Sequence, residues 1–189
     1  MVLSTVRHLT TAELEAGLAE ILESPRDEGV LRLIVRRPKV NEREILQIGE
    51  LDPAVGLVGD NWRSRKSSRT ADGSAHPNMQ LNIMNARVAA LVAQHEDRWQ
   101  LAGDQLYLDL DLSERNLPAG SRLAIGDAVI EISPEPHTGC KKFVSRFGLE
   151  AMKFVNSPHG RELHLRGCNA RVVRPGVISV GQVVKKLAA

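Results

Sequence analysis

The residue with the clearest chemical potential is Cys140, one of two cysteines in the chain, within the segment PEPHTGCKKF (134–143). The two prolines hold the chain extended, so Thr138 is predicted to be the N-cap of a helix that begins with Gly139 and Cys140. A thiol at that position meets unpaired backbone N–H groups and the positive end of the helix dipole, next to Lys141. These groups favour a thiolate with a lowered pKa, which is both a nucleophile and a soft metal ligand.

A second interpretation of Cys140 stays open, because an unpaired cysteine is often a small buried filler of the core. Cys168 stands at the predicted start of a strand without a basic run after it, so the filler interpretation is the stronger one there. The spacing of the two cysteines does not suggest a redox pair. Two cysteines are also too few for the disulfide framework of a small secreted protein.

Other polar residues offer weaker candidate sites. The six histidines lack HExxH or CxxC spacing, which argues against zinc, and no Walker A or GxGxxG motif supports a nucleotide cofactor. Arg166 and Asn169 could orient an anion or a pterin-like ring, or they could satisfy backbone groups. The long segment 59–78 could bind phosphate or be a solvated mobile loop, and its basic residues are Arg63, Arg65, Lys66 and Arg69.

The composition is that of an ordinary soluble protein and argues against several classes of function. The 189 residues carry a formal net charge of +2 and 3% aromatic residues, which is too little charge and too little stacking surface to indicate nucleic-acid binding. The start of the chain lacks a long apolar stretch and no segment is long enough to span a bilayer, so neither a signal peptide nor membrane association is expected. A reducing, cytoplasmic location is the expectation.

The elements that must position Cys140 are mostly strands. The clearest is 105–112, where four leucines alternate with polar or amphipathic residues, as in a strand with one face on a core. Two hairpins are expected, one formed by 122–125 and 128–133 around Gly126–Asp127, the other by 169–174 and 177–184 around Pro175–Gly176. Further strands are expected at 30–35, 44–51 and 79–83.

Helical patterns are fewer. Thr10 and Glu13 fit a capping box before a first helix, Asn85 can cap a second, and a third is expected over 140–156. Strand–helix–strand units do not recur, so a doubly wound parallel sheet is not expected. The predicted fold is mainly β, an antiparallel β-barrel with peripheral α-helices, and with no linker visible the chain is expected to form one domain over 1–189.

Two longer stretches resemble the MOSC domain, the C-terminal domain of molybdenum cofactor sulfurases, which is also found as small stand-alone proteins. They are LPAGSRLAIGDAVIEISPEPHTGCKKFVSRFG (117–148) and LRGCNARVVRPGVISVGQVV (165–184). The match is most specific at the strand leading into PHTGC, at LRG-x-NARV and at the final PG-x-I-x-V-G. It covers 101–187 well, and 59–60 and the stretch MQLNIMNARVAALV more loosely.

The resemblance implies a MOSC-like barrel of the pyruvate-kinase type. It also implies that Cys140 matches the family's characteristic cysteine, which in relatives carries sulfur or ligates the molybdenum of a pterin-bound cofactor. On that basis Cys140 is the candidate catalytic residue and metal ligand. The candidate cofactor-binding residues are His137, Thr138, Lys141, Arg166, Asn169, Asp60 and Asn82.

The implied function is binding of the molybdenum cofactor (molybdopterin), with an activated cysteine used for sulfur transfer or for reduction of N-hydroxylated compounds. An electron or sulfur donor protein would be a partner. The alternative is a non-catalytic module or carrier that binds a small anionic cofactor or metabolite. Cofactor sulfurases carry a separate pyridoxal-phosphate domain and reductase relatives an extra N-terminal barrel. Neither has room in this chain, so pyridoxal phosphate is not expected in it.

Overall fold

The computed structural model describes residues 7–188. The expectation about a signal peptide falls partly on residues 1–6, which lie outside this range. None of the helices within 7–188 is long and apolar enough to cross a membrane. The strands of this region are β1 (Glu28–Arg36), β2 (Glu44–Leu46), β3 (Ile48–Asp52), β4 (Gly56–Leu57), β5 (Leu81–Asn85), β6 (Leu106–Asp109), β7 (Arg122–Ile125), β8 (Ala128–Ile132), β9 (Cys168–Arg174), β10 (Gly176–Ser179) and β11 (Val183–Lys186).

The helices lie before and between the strands. They are α1 (Thr11–Ala16), α2 (Leu18–Leu22), α3 (Ala86–Ala93), α4 (Lys141–Phe147), α5 (Leu149–Asn156) and α6 (Pro158–Glu162), with 3-10 helices at Trp62–Ser64, Pro77–Met79 and Glu96–Ala102. The Thr10–Glu13 capping box and the Asn85 cap of α3 are both present, as predicted. The helix predicted over 140–156 is two helices, because Gly148 has a φ of +93° that interrupts the helical path.

Seven strands close into a barrel in the order β1, β11, β7, β8, β9, β5, β6 and back to β1. Neighbours run antiparallel except β5 and β6, which are parallel because the chain between them crosses over through α3 and a 3-10 helix. β2 pairs with the end of β1, on the same edge that β11 occupies at the start of that strand, and β10, β3 and β4 form a small separate sheet. The predicted class, a mainly antiparallel barrel with peripheral helices, is confirmed.

The apolar residues divide into two cores. One fills the barrel and includes Ile34, Leu108 and Ile130. The other lies between the outer wall of the barrel and the helices and includes Tyr107 and Phe143. Because α4 contributes Phe143 to this outer core, the segment that carries Cys140 is fixed against the barrel by apolar packing.

The strand predicted over 105–112 is shorter, and its predicted exposed face is wrong. β6 covers only Leu106–Asp109, and Leu106, Tyr107 and Leu108 are all fully buried. Alternation along the strand places Leu106 and Leu108 inside the barrel and Tyr107 outside it, where the helical layer covers the ring. The hydroxyl of Tyr107 donates a 2.6 Å hydrogen bond to the carbonyl of Trp99, which is how a polar atom is accommodated there.

Of the two predicted hairpins, one is confirmed and one is wrong. β7 and β8 pair around Gly126, with Ile125 opposite Ala128. β9 and β10 do not pair, because both edges of β9 are already occupied by β8 and β5. After Pro175 the chain passes instead to the small sheet, where Val177 lies opposite Glu50 of β3.

Two other strand boundaries also differ from the sequence interpretation. The strand predicted over 44–51 is broken at Gln47, whose carbonyl accepts a hydrogen bond from the N–H of Val180. The strand predicted over 79–83 begins only at Leu81, because the 3-10 helix that starts at Pro77 extends to Met79. Proline at the first helical position favours that short helix.

Candidate functional site

Cys140 lies on the surface, immediately before α4. Its side chain is exposed and its backbone is extended (φ −118°, ψ 179°), which makes Cys140 itself the N-cap residue. The prediction that Thr138 caps the helix and that Gly139 and Cys140 form its first turn is therefore wrong. The thiol still adjoins the start of a helix, because the carbonyl of Cys140 accepts hydrogen bonds from the N–H groups of Phe143 and Val144.

A side chain of α5 explains why the helix begins late. Asn156 Oδ1 accepts a 2.9 Å hydrogen bond from the N–H of Gly139, and Asn156 Nδ2 donates to the carbonyl of the same glycine. This pair of bonds ties Gly139 to α5, and Gly139 lies outside α4. A Cβ on Gly139 would lie 3.3 Å from Met152 and from Asn156, so the close approach favours glycine here.

A buried carboxylate, Asp104, holds two of the predicted site residues together. Both of its oxygens accept hydrogen bonds from Arg166 Nη1 (2.9 and 2.8 Å), and Oδ1 lies 2.8 Å from His137 Nε2. Arg166 also donates to the carbonyl of Ala102 and its guanidinium lies over the ring of Phe143. Burial raises the pKa of Asp104, but Arg166 and His137 outweigh it and lower that pKa to about 2.

A second buried carboxylate, Asp60, binds Arg37 and gathers two further predicted residues. Arg37 Nε and Nη2 donate to the two oxygens of Asp60 at 2.8 and 3.0 Å, and both side chains are almost completely buried. Arg37 Nη1 donates to Asn82 Oδ1, whose Nδ2 in turn donates to Asn169 Oδ1 at 2.6 Å. Asn169 Nδ2 reaches the carbonyl of Glu135, just before the His137–Cys140 segment.

The two buried groups are neighbours, because Arg37 Nη1 also donates to the carbonyl of Gly103, the residue before Asp104. His137 is three residues from Cys140, so their α-carbons lie within about 11 Å. The structure thus brings five predicted residues into one network: His137, Arg166, Asp60, Asn82 and Asn169. Thr138, Cys140 and Lys141 lie on the adjoining surface segment, and their side chains make no hydrogen bond to the described residues.

Sequence reasoning missed Arg37 and Asp104, the residues at the centre of the network. Asp104 lies in GDQ (103–105), which resembles an ordinary turn. The signal that could have identified it is its position two residues before the apolar start of β6, because an ionised group next to a buried strand requires a partner. Arg37 follows β1 in the same way, at the end of a run of buried residues.

Four arginines form what we call the arginine cluster: Arg37, Arg43, Arg65 and Arg146. Arg43 Nη2 and Arg146 Nη1 lie 3.6 and 3.9 Å from the position that a Cβ on Gly103 would occupy. Partial burial and, after it, the neighbouring guanidinium groups of the cluster lower the pKa of Arg43 and of Arg65, that of Arg65 to about 10. The one opposing carboxylate at these two groups is that of Asp60, within the described residues.

The remaining basic residues of 59–78 are placed differently. Arg69 forms an ion pair with Glu135 at 3.3 Å, and Arg63 and Arg65 are both exposed, but Arg65 lies close enough to Arg37 and Arg43 for their charges to lower its pKa. Lys66 and Arg65 share a small cavity of about 130 Å³ with Asn82. Of the predicted basic run, Arg65 is therefore the residue that joins the arginine cluster.

The described residues offer no ready-made metal site. Among residues 7–188, no group of three or more His, Cys, Asp or Glu side chains could hold a metal ion. A metal bound by Cys140 would therefore have one protein thiolate and would need most of its ligands from another molecule. This suits a metal that arrives with an organic ligand rather than a free zinc ion.

Cys168 has the environment of a core residue. It is 4% exposed and burial raises the pKa of its thiol to about 12. We therefore expect iodoacetamide at pH 8 to modify Cys140 in the native protein at least about tenfold faster than Cys168, because the thiolate is the reactive form. Peptide mapping by mass spectrometry measures the two rates. Equal rates would contradict the placement of the two thiols.

The chain forms a closed mixed barrel with peripheral helices, and an exposed cysteine lies on the loop after β8. These features define the class of protein to which the chain belongs. The sequence model of the family described as "MOSC domain" matches residues 75–185. The chain belongs to the MOSC domain family, which is associated with the molybdenum cofactor.

Solved structures show the same fold. The YuaD protein from Bacillus subtilis is 16% identical with a TM-score of 0.59, covering 84% of this chain and 95% of that one. YiiM from Escherichia coli is 18% identical with a TM-score of 0.54, covering 85% and 70%. YiiM from Geobacillus stearothermophilus is 15% identical with a TM-score of 0.56, covering 85% and 75%. No curated protein matches the chain.

Proposed function

We propose that the protein binds the molybdenum cofactor, with Cys140 as its protein ligand. The observation that carries this proposal is the arginine cluster, in which the buried Arg37, the partly buried Arg43 and Arg146 and the more exposed Arg65 lie near the carboxylate of Asp60. Positive charge concentrated in this way favours an anion, and the planar guanidinium fork matches a phosphate group. The pterin of the cofactor carries such a phosphate.

The residues of the site fit the cofactor in two further respects. Arg43 Nε is buried and has no hydrogen-bond partner among the described residues, so the cluster has donor capacity that this chain does not satisfy. Cys140 offers one accessible thiol, which suits a soft metal whose other ligands come from the pterin. Charge and ligand chemistry thus both support the same ligand.

The chain's own residues would have distinct roles. The cofactor, when bound, would supply a metal centre for two-electron oxidation and reduction and for exchange of a sulfur ligand. Cys140 would hold the metal, and Arg43 and Arg65 would hold the phosphate. Asp60 fixes Arg37 through two hydrogen bonds, so that this guanidinium is preorganised and loses little freedom on binding.

The exposure of Cys140 favours one reaction in particular, the transfer of sulfur. The thiolate of Cys140 would attack the outer sulfur of a persulfide on a donor protein. A new S–S bond forms on Cys140, the S–S bond of the donor breaks, and the donor leaves as a thiolate, so no external oxidant is needed. Reduction of N-hydroxylated compounds at the metal is the other candidate reaction, and it would need an electron donor protein.

Removing two guanidinium groups of the cluster tests the proposal directly. In Arg43→Met/Arg65→Met we expect the pterin that co-purifies with the protein to fall by about tenfold or more, because each lost charge-assisted bond costs about 1.5–3 kcal/mol. Pterin is measured by fluorescence after oxidation, in a host that makes the cofactor and is supplied with molybdate. Arg32→Met, at an exposed position of β1, is the matched control. Unchanged pterin in the double variant would oppose the proposal.

A carrier function makes a different prediction from an enzyme with the same site. Cofactor retained without turnover of hydroxylamines, amidoximes or persulfide donors would favour a carrier. Turnover that depends on Cys140 would favour an enzyme. Both outcomes keep cofactor binding, which the pterin measurement tests separately.

A further inference from the structure

A cavity of about 390 Å³ lies beside the Cys140 segment, distinct from the arginine cluster. One wall is the chain from Ile132 to Thr138 and the other includes Val155 and the turn from His164 to Cys168. Much of the lining is apolar, and His137 and Arg166 contribute charged or titratable groups. Mainly apolar walls with a few fixed polar groups are typical of a site for a small organic molecule.

His137 presents a defined chemical group to this cavity. Its Nε2 lies 2.8 Å from Oδ1 of Asp104, and Asp104 is held ionised by Arg166. A carboxylate can only accept a hydrogen bond, so the neutral imidazole must carry its proton on Nε2. Nδ1 is then a lone-pair acceptor. It has no hydrogen-bond partner among the described residues, and the side chain remains 13% exposed.

Burial and the surrounding charges keep His137 neutral near pH 7. Burial lowers its pKa, and Arg166 and Arg37 lower it further, which outweighs the opposing effect of Asp104. The other titratable or charged groups of the cavity wall are Glu114, Glu135, Arg161, His164 and Cys168. Glu135 is engaged by Arg69, so the principal negative charge on His137 is that of Asp104.

We propose that this cavity binds a small, largely apolar molecule that donates a hydrogen bond from an O–H, N–H or S–H group to Nδ1 of His137. The hydrogen bond to Asp104 keeps the ring proton on Nε2, so that Nδ1 stays an acceptor. Asp104 is a positioning residue, because it acts through the ring of His137.

The inference adds a substrate pocket to the proposed function, but it rests on groups of this chain alone. If the protein bound no molybdenum, this inference would still stand. If the cavity bound no ligand at His137, the proposal of cofactor binding would still stand. The probes are phenol and anisole, which share a ring and differ in that only phenol has an O–H donor. Binding is followed by NMR in the full chain carrying ¹⁵N-labelled histidine, so that Nδ1 of His137 is observed directly.

In the wild type we expect phenol to shift the Nδ1 resonance of His137 and anisole not to shift it. Anisole should also bind about fivefold more weakly, the ratio that corresponds to one hydrogen bond of about 1 kcal/mol. His137→Leu should abolish the preference for phenol, and His159→Leu, at an exposed histidine outside the cavity, should leave it intact. Equal affinities in the wild type, or an unmoved Nδ1 resonance with bound phenol, would overturn the proposal.

The variant Asp104→Asn distinguishes a role of Asp104 in positioning the ring of His137 from a role in supporting the fold alone. The amide N–H of asparagine can donate to Nε2, which moves the ring proton to Nδ1 and turns the acceptor into a donor. We expect the ¹⁵N shifts to report this tautomer change and the preference for phenol to disappear while the amide spectrum stays folded. A folded Asp104→Asn protein that keeps both the wild-type tautomer and the preference would also overturn the proposal.

Discussion

Cys140→Ser is expected to leave the fold intact and to reduce the molybdenum that co-purifies with the protein by roughly tenfold or more. A serine hydroxyl is a hard, protonated group at neutral pH, whereas molybdenum in a pterin complex prefers a soft thiolate. Changes in groups that only support a metal ligand already cost 10–100-fold in affinity, so loss of the ligand itself is expected to cost at least as much. The side chain is exposed and makes no hydrogen bond to the described residues, so stability should change little.

The control for this measurement is Cys168→Ser, which removes the other thiol of the chain. Cys168 belongs to the barrel core, so this variant is expected to be less stable but to keep its molybdenum. Metal is measured by inductively coupled plasma mass spectrometry beside pterin fluorescence, which separates loss of the metal from loss of the whole cofactor. Retained molybdenum in Cys140→Ser would falsify the assignment of Cys140 as the metal ligand. If the pterin content stays constant while the molybdenum content falls, the arginine cluster binds the pterin independently of the thiol.

The sequence predicted correctly those elements that are determined by residues close to one another along the chain. The turn dipeptide at Gly126–Asp127 sits between two apolar runs, and the hairpin there is present. Asn85 caps α3 because its short side chain reaches the N–H of Arg87 two residues ahead. Several such elements, mostly strands without recurring strand–helix–strand units, were enough to predict an antiparallel barrel with peripheral helices.

The centre of the candidate site could not be predicted in this way, because its contacts join distant parts of the chain. Asp104 and Arg166 are 62 residues apart, and Arg37 and Asn82 are 45 apart. Each looks like a surface charge or a turn residue in its own neighbourhood. The same limit explains the wrong hairpin at Pro175–Gly176, since the local pattern does not show that β5 and β8 already occupy both edges of β9.

The position of the helix start before α4 is a second example of a remote cause. Thr138 is a good N-cap residue and its sequence neighbours agree with that role. The cap is instead displaced to Cys140 because Asn156, on another helix, binds both backbone polar groups of Gly139. The consequence for function is that the thiol lies at the exposed edge of the site rather than within the first helical turn.

Asp104→Ala is expected to lower the free energy of unfolding by about 3–5 kcal/mol at pH 7, the largest stability effect that we predict. Asp104 is fully buried and Arg166 is 7% exposed, so the substitution leaves a buried guanidinium without its carboxylate. Urea unfolding followed by circular dichroism measures the change. The double variant Asp104→Leu/Arg166→Met should be clearly more stable than Asp104→Ala, because it removes both charges. If the double variant is the less stable protein, an unpaired charge is not the cause of the loss.

The pH dependence of the difference in free energy of unfolding between the wild type and Asp104→Ala tests whether the charge of the carboxylate is the cause of that difference. The pKa of Asp104 is lowered to about 2, below its ordinary value, so the stability that its ionised form contributes is fully present above about pH 4 and is lost as the pH falls toward 2. A shift of nearly two pKa units corresponds to about 2 kcal/mol. The gap between wild type and Asp104→Ala should therefore narrow by about that amount between pH 4 and pH 2. His137, whose pKa is lowered, makes the wild type lose further stability below about pH 6.5, where the unfolded chain gains a proton first. A gap that stays constant from pH 7 to the acid limit of folding would mean that Asp104 contributes through packing and not through its charge.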